Sequence, residues 1–188
     1  MLGDKAVPDA WVADVLQFWF VELIQKAWFE KNEAVDQMVR DRFSTVYEAV
    51  AQRLAAEALT TPERALATVI VLDQFPRNLF RGSARAYATD PLARDIAAEA
   101  LACGFDERLD KSGRLFLYLP FEHSENAADQ ARAVALFARL GDADWLRYAE
   151  AHKRIIDRFG RFPHRNAVLG QSSTPEEIAF LQQPGSSF

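Results

Sequence analysis

The chain has 188 residues, enough for one domain with a substantial core, and 49% of them are hydrophobic, which excludes a mainly disordered protein. Lysine and arginine number 22 against 27 acidic residues, and this net charge of −5 argues against a nucleic-acid-binding protein, which needs a basic face. A single cysteine, an N-terminus unlike a signal peptide and apolar runs shorter than the roughly 20 residues of a membrane span predict a cytoplasmic protein without a membrane partner.

Helical periodicity dominates the first third of the chain. An aromatic face over residues 11–19 predicts a helix that begins at Pro8-Asp9, and we interpret this face as core. A second helix is predicted from an apolar stripe formed by Val35, Val39, Phe43, Val46, Val50 and Leu54. The charged residues between them, including Asp36, are expected to form a solvated face. Thr61-Pro62 begins a third helix, which Pro76 is expected to end or kink, because proline lacks an amide hydrogen.

The middle of the chain predicts three more helices. One runs from Asp90-Pro91 to Cys103-Gly104. The apolar run 115–119 could be a strand by composition, but a buried helix ending at Pro120 is preferred, because no other segment alternates. Ser124 is the predicted cap of the helix that follows, over about residues 125–140.

Two helices are predicted in the last third of the chain. The first has an apolar stripe and closes at Gly160, and the second begins with the capping box Thr174-Pro175-Glu176-Glu177. We therefore predict a single all-α domain over residues 1–188, with a core over about 9–183 and a mobile tail over 184–188.

Three polar clusters stand at predicted helix ends. The densest, Arg158-Phe159-Gly160-Arg161-Phe162-Pro163-His164-Arg165-Asn166, has three arginines and a histidine in nine residues. A weaker copy, Phe75-Pro76-Arg77-Asn78, ends an earlier helix, and Glu122-His123-Ser124-Glu125 follows a proline. We predict that these clusters meet, so that Arg77, His123 and Arg161 line a common cleft.

The arginines predict an anion site, because a planar guanidinium matches phosphate and carboxylate groups. The candidate ligand-binding residues are Arg77, Asn78, Arg158, Arg161, His164, Arg165 and Asn166. The alternative is internal pairing, in which Asp73, Glu122 and Glu125 neutralise the arginines. Both interpretations remain open, and within the cluster we expect Arg161 to pair internally and Arg165 to face a ligand.

His123 is the candidate acid or base, because histidine exchanges protons near neutral pH and a neighbouring carboxylate can orient its ring. The candidate catalytic residues are His123, Glu122 and Glu125, although hydrogen bonds to nearby backbone would give His123 a purely structural role. His152 lies in an apolar stripe and is expected to be a core histidine. No metal is predicted, since no ligand spacing of a metal site is present, and no cofactor is predicted.

Five motifs occur in a recognisable order between about Val15 and Leu181. They are Phe18-Trp19-Phe20, Trp28-Phe29, Asp73-Gln74-Phe75-Pro76-Arg77-Asn78, Leu119-Pro120-Phe121-Glu122-His123-Ser124-Glu125 and the cluster 158–166. In this order they resemble the bacterial domain-of-unknown-function family 924. The resemblance implies a tetratricopeptide-like stack of antiparallel helix pairs and no established activity. Gln171 departs from it, because the resemblance implies an arginine there.

Three classes of function are compatible with these features. The chain could be an enzyme or binder of a small anionic ligand, a tetratricopeptide-like module that binds a peptide in a helical groove, or a structural protein with locked helix ends. The concentration of polar residues at helix ends favours the first class over the second. The sequence gives no indication of oligomeric state.

Overall fold

The computed structural model of the protein describes residues 10–53 and 57–186, and every regular element in these two ranges is a helix. The α-helices are α1 Ala10–Gln17, α2 Glu33–Arg53, α3 Pro62–Val69, α4 Phe75–Leu79, α5 Asp90–Ala102, α6 Lys111–Glu122, α7 Ala127–Leu140, α8 Ala143–Phe159 and α9 Pro175–Leu181. Shorter 3₁₀ turns occur at Gln25–Trp28, Ala58–Thr60, Ala84–Tyr87, Phe105–Arg108 and Pro163–Arg165. The predicted all-α fold is confirmed.

Local chemistry sets several of the helix ends. The Thr61 hydroxyl accepts the backbone N–H of Arg64 at the start of α3, and Thr174 and Glu177 form the predicted capping box of α9. Gly141 and Gly160 follow α7 and α8 with φ of +70° and +69°, a left-handed conformation that glycine adopts without a steric penalty. These ends lie where the sequence predicted them.

Neither of two predicted proline stops ends its helix. After α3, the chain continues through a π-helical segment, Ile70–Gln74, directly into α4. Because α4 begins directly after this wider π turn, Pro76 lies in the first turn of α4, where its missing amide hydrogen is tolerated. Pro120 lies in the last turn of α6, which continues to Glu122. The preference for a buried helix over a strand at residues 115–119 is confirmed.

The main core is rich in aromatic residues and takes its buried side chains from α1 through to α8. Trp19, from a π-helical segment (Phe18–Glu22) that follows α1, packs against Phe75 of α4 and Phe116 of α6 with ring centroids 5.7 and 5.5 Å apart. Helix α2 contacts α4, α3 contacts α5, and α6, α7 and α8 pack in succession. These contacts position the ends of α4, α6 and α8, whereas tetratricopeptide-like stacking stays a prediction from the resemblance.

A small second apolar cluster joins the last two helices. It contains Ile155, Ile156, Phe159, Phe162 and Phe180. Because Phe162 is fully buried, the chain after α8 is held in a defined position, with the 3₁₀ turn Pro163–Arg165 directly behind it.

Asp36 of α2 is not on a solvated face, so that prediction is wrong. Its side chain is buried and accepts hydrogen bonds from Asn78 at 2.8 Å and from Arg81 at 2.8 and 2.7 Å. The packing of α4 on α2 supplies these donors, a long-range effect that the periodicity of α2 does not contain. Leu54 and Pro8-Asp9, which the sequence assigned to helices, lie outside the described residues.

The described part of the predicted mobile tail, residues 184–186, is hydrogen-bonded to the end of α9. Ser186 is buried, and its hydroxyl donates to the carbonyl oxygen of Leu181 at 3.1 Å. Residues 187 and 188 lie outside the described residues. Among the helices of residues 10–53 and 57–186, none combines the length and apolar character that crossing a membrane demands.

Candidate functional site

A cleft of about 540 Å³ lies where α4, the end of α6, α8 and the turn Pro163–Arg165 come together. Six of the ten residues proposed from the sequence line it: Arg77, Asn78, Glu122, His123, His164 and Arg165. His152 lines it as well, so that all three histidines of the chain share this cleft. The structure therefore brings parts of the three polar clusters together.

Asp73 orients His123. Nδ1 of His123 lies 2.8 Å from Oδ1 of Asp73, which is fully buried, and the Gln74 amide donates to the other carboxylate oxygen at 2.5 Å. Burial alone would raise the pKa of Asp73, but the charges of Arg77 and His123 and these hydrogen bonds lower it to about 2. Since an ionised carboxylate only accepts hydrogen bonds, Nδ1 of His123 carries the ring proton and Nε2 is the acceptor.

His123 is neutral at neutral pH. Burial lowers the pKa of its imidazole below the usual range, Asp73 partly opposes this, and the positive charge of Arg77 lowers the pKa further. A neutral imidazole whose Nδ1–H is held by a carboxylate is in the state required to accept a proton at Nε2.

Two arginines lie near the carboxylate of Asp90, but only one of them forms hydrogen bonds with it. Arg77 donates to both oxygens of Asp90, at the start of α5, over 2.9 and 3.0 Å, and also to the backbone carbonyl of Asp73. Burial would lower the pKa of Arg77, but the charges of Asp73 and Asp90 raise it above the usual value. Arg165 Nη1 lies 3.8 Å from Asp90 Oδ2, beyond hydrogen-bond distance.

Arg165 is a buried cation with little compensation. Its exposure is 7%, and Nε has no hydrogen-bond partner within the described ranges. The guanidinium stacks near the rings of Tyr87 and Phe162, 4.6 and 4.4 Å from their centroids. Burial, together with the charge of Arg77, lowers the pKa of Arg165 below its ordinary value, so the surroundings oppose its positive charge.

The other two histidines of the chain, His152 and His164, also line the cleft. His152 Nδ1 lies 3.0 Å from Oε1 of buried Glu122 and 2.9 Å from the carbonyl oxygen of Tyr148. Glu122 therefore pairs with a histidine and not, as internal pairing predicted, with an arginine. Burial and the charge of Arg165 lower the pKa of His164 to about 4, which leaves that imidazole neutral as well.

Arg158 and Arg161 lie outside the cleft and bind the last helix. Arg161 donates to both oxygens of Glu177 over 2.7 and 2.8 Å and to the Ser172 carbonyl over 3.0 Å. Arg158 donates to Glu176 over 2.7 and 3.0 Å. The prediction that Arg161 lines a common cleft with Arg77 and His123 is therefore wrong, and these contacts agree with its expected internal pairing.

Two further proposed residues also bind neighbouring parts of the protein. The buried Asn166 amide donates to Ser173 Oγ over 3.0 Å and to Glu177 over 3.3 Å. The Glu125 carboxylate accepts the backbone N–H of Phe162 over 2.8 Å, which links the end of α6 to the turn after α8. Both residues hold the site's segments in place from outside the cleft.

The cap of α7 differs from the prediction. Asn126, and not Ser124, accepts the first backbone N–H groups of α7, from Ala128 and Asp129. The Ser124 hydroxyl donates to Asp129 over 2.7 Å, and His123 is the residue that closes α6. After α8, the residues Pro163–Arg165 form a three-residue 3₁₀ turn.

Several residues of the site have weak signals in the sequence. Asp90 has only the sequence signal of a helix start, and Tyr87, which stacks on Arg165, has no sequence signal of a role in the site. The sequence predicts Asp73 only as an arginine partner, and its position directly before Gln74 and the motif Phe75-Pro76-Arg77-Asn78 does not indicate a contact with His123. The π-helical segment Ile70–Gln74, which contains Asp73 and places it next to His123 at the end of α6, has no recognisable sequence signal.

The arrangement can attract an anion with two arginines and exchange a proton through a carboxylate-oriented histidine. Within the described part of the chain, no three histidine, cysteine, aspartate or glutamate side chains come together in a way that could hold a metal ion. The arginines and histidines that line the cleft can supply electrostatic binding and acid–base transfer.

The family model for bacterial proteins of unknown function DUF924 matches residues 15–185. The fold is similar to the solved structure of a protein of unknown function from Agrobacterium tumefaciens, with 46% sequence identity and a TM-score of 0.88. That similarity covers 92% of this chain and 97% of the Agrobacterium chain. No curated protein matches the sequence. The match over nearly the whole length establishes that the chain belongs to the DUF924 family.

Proposed function

We propose that the cleft binds a small anionic ligand, and that His123 transfers a proton to or from it. The observation that carries this proposal is Arg165, a guanidinium with 7% exposure whose surroundings oppose its charge, next to a second arginine in the same cleft. Buried charges are normally paired. A buried cation whose nearest carboxylate lies beyond hydrogen-bond distance and already binds another arginine is therefore suited to receive an anion from a ligand.

The anion would complete an incomplete charge arrangement. Arg77 is bound by Asp90 and lies 3.6 Å from Asp73, so both carboxylates compensate mainly this arginine. Arg165 is left with Asp90 at 3.8 Å. A phosphate or carboxylate between the two guanidinium groups would give Arg165 the charge-assisted hydrogen bonds that it lacks.

His123 supplies the chemical step in this proposal. Its Nδ1–H is held by Asp73, and Nε2 is the basic nitrogen. The lowered pKa keeps His123 neutral at neutral pH, which favours a role as general base towards a ligand in the cleft. Glu122 would contribute indirectly, because it binds His152 and is not in contact with His123's ring proton.

The alternative, a peptide in a helical groove, is less favoured by the geometry. A volume of about 540 Å³ is within the range of pockets that enclose small molecules, and Arg77, His123 and Arg165 all line this one cleft. Peptide-binding helical repeats usually distribute their contacts along an extended concave surface.

The test is thermal unfolding of the protein in chloride, phosphate and succinate at pH 7.5 and equal ionic strength. We expect phosphate or succinate to raise the unfolding midpoint in proportion to the logarithm of its concentration, because a ligand that binds only the folded state stabilises it by mass action. Isothermal titration calorimetry would then give the stoichiometry, expected to be one anion per chain. Midpoints that are identical in all three salts would overturn the proposal.

A further inference from the structure

Two exposed aromatic side chains line the same cleft as the arginines. Among the described residues, Phe29 and Tyr148 are exposed by 57% and 51%, and both belong to the cleft lining. Large aromatic rings are costly to leave in water, and binding pockets use them because they offer rigid apolar surface. Trp28 and Trp145 line the cleft beside them.

Phe29 and Trp28 are held in place by contacts with the core. Phe29 stacks on Phe116 of the core with the ring planes 8° apart and the centroids 6.2 Å apart. The indole N–H of neighbouring Trp28 donates to the carbonyl oxygen of Trp19 over 2.8 Å. Tyr148 projects from α8 one helical turn before His152, whose Nδ1 lies 2.9 Å from its carbonyl oxygen. The part of the aromatic surface formed by Phe29 and Trp28 is therefore in place before any ligand binds.

The charged lining residues that neighbour Phe29, Trp145 and Tyr148 in the sequence carry no net charge together. Arg147 pairs with Asp144 over 3.1 Å, and Glu30 and Lys31 contribute one charge of each sign. The cleft also holds Arg165, whose nearest carboxylate, Asp90, lies 3.8 Å away and already binds Arg77. The cleft thus contains two arginines together with several aromatic rings, and its volume of about 540 Å³ greatly exceeds what an inorganic anion fills.

We infer that the ligand carries a planar aromatic or heteroaromatic ring in addition to its anionic group. The anion binds Arg77 and Arg165, and the ring packs against Phe29, Trp145 and Tyr148. The ligand class is therefore an aryl or heteroaryl phosphate or carboxylate. This inference rests on the proposed function, because it extends the same anion site.

The test compares pairs of anionic probes with and without an aromatic ring, by isothermal titration calorimetry at pH 7.5. The pairs are phenylphosphonate with methylphosphonate, and benzoate with acetate; the phosphonates cannot be hydrolysed at an ester bond. We expect the aromatic member of at least one pair to bind at least tenfold more tightly. Inorganic phosphate serves as the ring-free reference.

Variants assign the effect to the aromatic surface. Phe29→Ala and Tyr148→Ala should each weaken binding of the aromatic probe at least fivefold and leave inorganic phosphate unchanged. Ile178→Ala is the matched control, because Ile178 is 49% exposed and lies outside the cleft lining. All three side chains are exposed, so these variants should fold.

The outcomes separate this inference from the proposed function. Equal affinities within both probe pairs, with phosphate still bound, would overturn the ring and leave the anion site. Loss of phosphate binding itself in both aromatic variants would also overturn it. If no anion binds the parent protein at all, the proposed function fails and this inference fails with it.

Discussion

Replacing Arg165 by methionine tests whether a buried cation is held ready for a ligand. The attraction between Arg165 and Asp90 across 3.8 Å is worth about 4 kcal/mol at an effective dielectric constant of about 20. Burial and the charge of Arg77 outweigh this attraction, because the pKa of Arg165 is lowered in spite of it. Removing the charge of Arg165 also leaves no carboxylate unpaired, because Asp90 keeps both hydrogen bonds from Arg77.

Methionine retains much of the apolar stem of arginine and its contacts with Tyr87 and Phe162. Buried charges replaced by apolar groups of similar volume are often neutral or stabilising, so we expect the free energy of unfolding of the empty protein to rise by about 1–2 kcal/mol. For a chain of this size that raises the unfolding midpoint by about 2–8 °C. The response to phosphate should be lost.

The assay is thermal and urea unfolding with and without phosphate at constant ionic strength. At a phosphate concentration of about 100 times Kd, the parent should gain about 2.7 kcal/mol, and Arg165→Met should gain much less. Arg161→Met is the matched control. Because Arg161 binds the buried carboxylate of Glu177, its loss should lower the midpoint and leave the phosphate response intact.

Two results would refute this reasoning. If the free energy of unfolding of ligand-free Arg165→Met were several kcal/mol lower than that of the parent, Arg165 would stabilise the fold by internal pairing. A full phosphate gain in Arg165→Met would mean that the anion binds elsewhere.

Three further predictions follow from the buried ionisable groups. Because the pKa of His164 is lowered in the folded protein, this histidine takes up a proton at higher pH in the unfolded chain than in the folded one. The free energy of unfolding should therefore fall by about 3 kcal/mol as the pH drops from 6.5 to about 4. Urea titrations should show a smaller loss for His164→Gln. Asp73→Asn should lose about 3–5 kcal/mol, because Asp73 is fully buried and compensates two partners, whereas Asp41→Asn on the exposed face of α2 should be nearly neutral in the same measurement. The pKa of Glu177 is lowered to about 2, so its contribution is present above about pH 4.5 and lost towards pH 2; acid unfolding of Glu177→Gln should lack that component, and an unchanged acid limb would contradict the pairing.

Local signals in the sequence determined most of the helical fold. Thr61, Thr174, Gly141 and Gly160 mark helix ends correctly, because a capping hydroxyl or a left-handed glycine acts on backbone groups within a few residues. The same locality explains the failures. Pro76 lies inside a helical stretch because the preceding π turn and the surrounding core accommodate it, and neither is visible in the proline itself.

Only the tertiary structure decided what each arginine does. Arg161 and Arg165 are four residues apart and chemically identical in the sequence, yet α9 brings Glu177 to the first and α5 brings only a distant, already occupied Asp90 to the second. In the same way, the sequence proposed His123 but could not assign Asp73, 50 residues earlier, as the carboxylate that orients it. The type of chemistry is a property of the side chains, whereas the pairing of buried charges depends on which distant helices pack together.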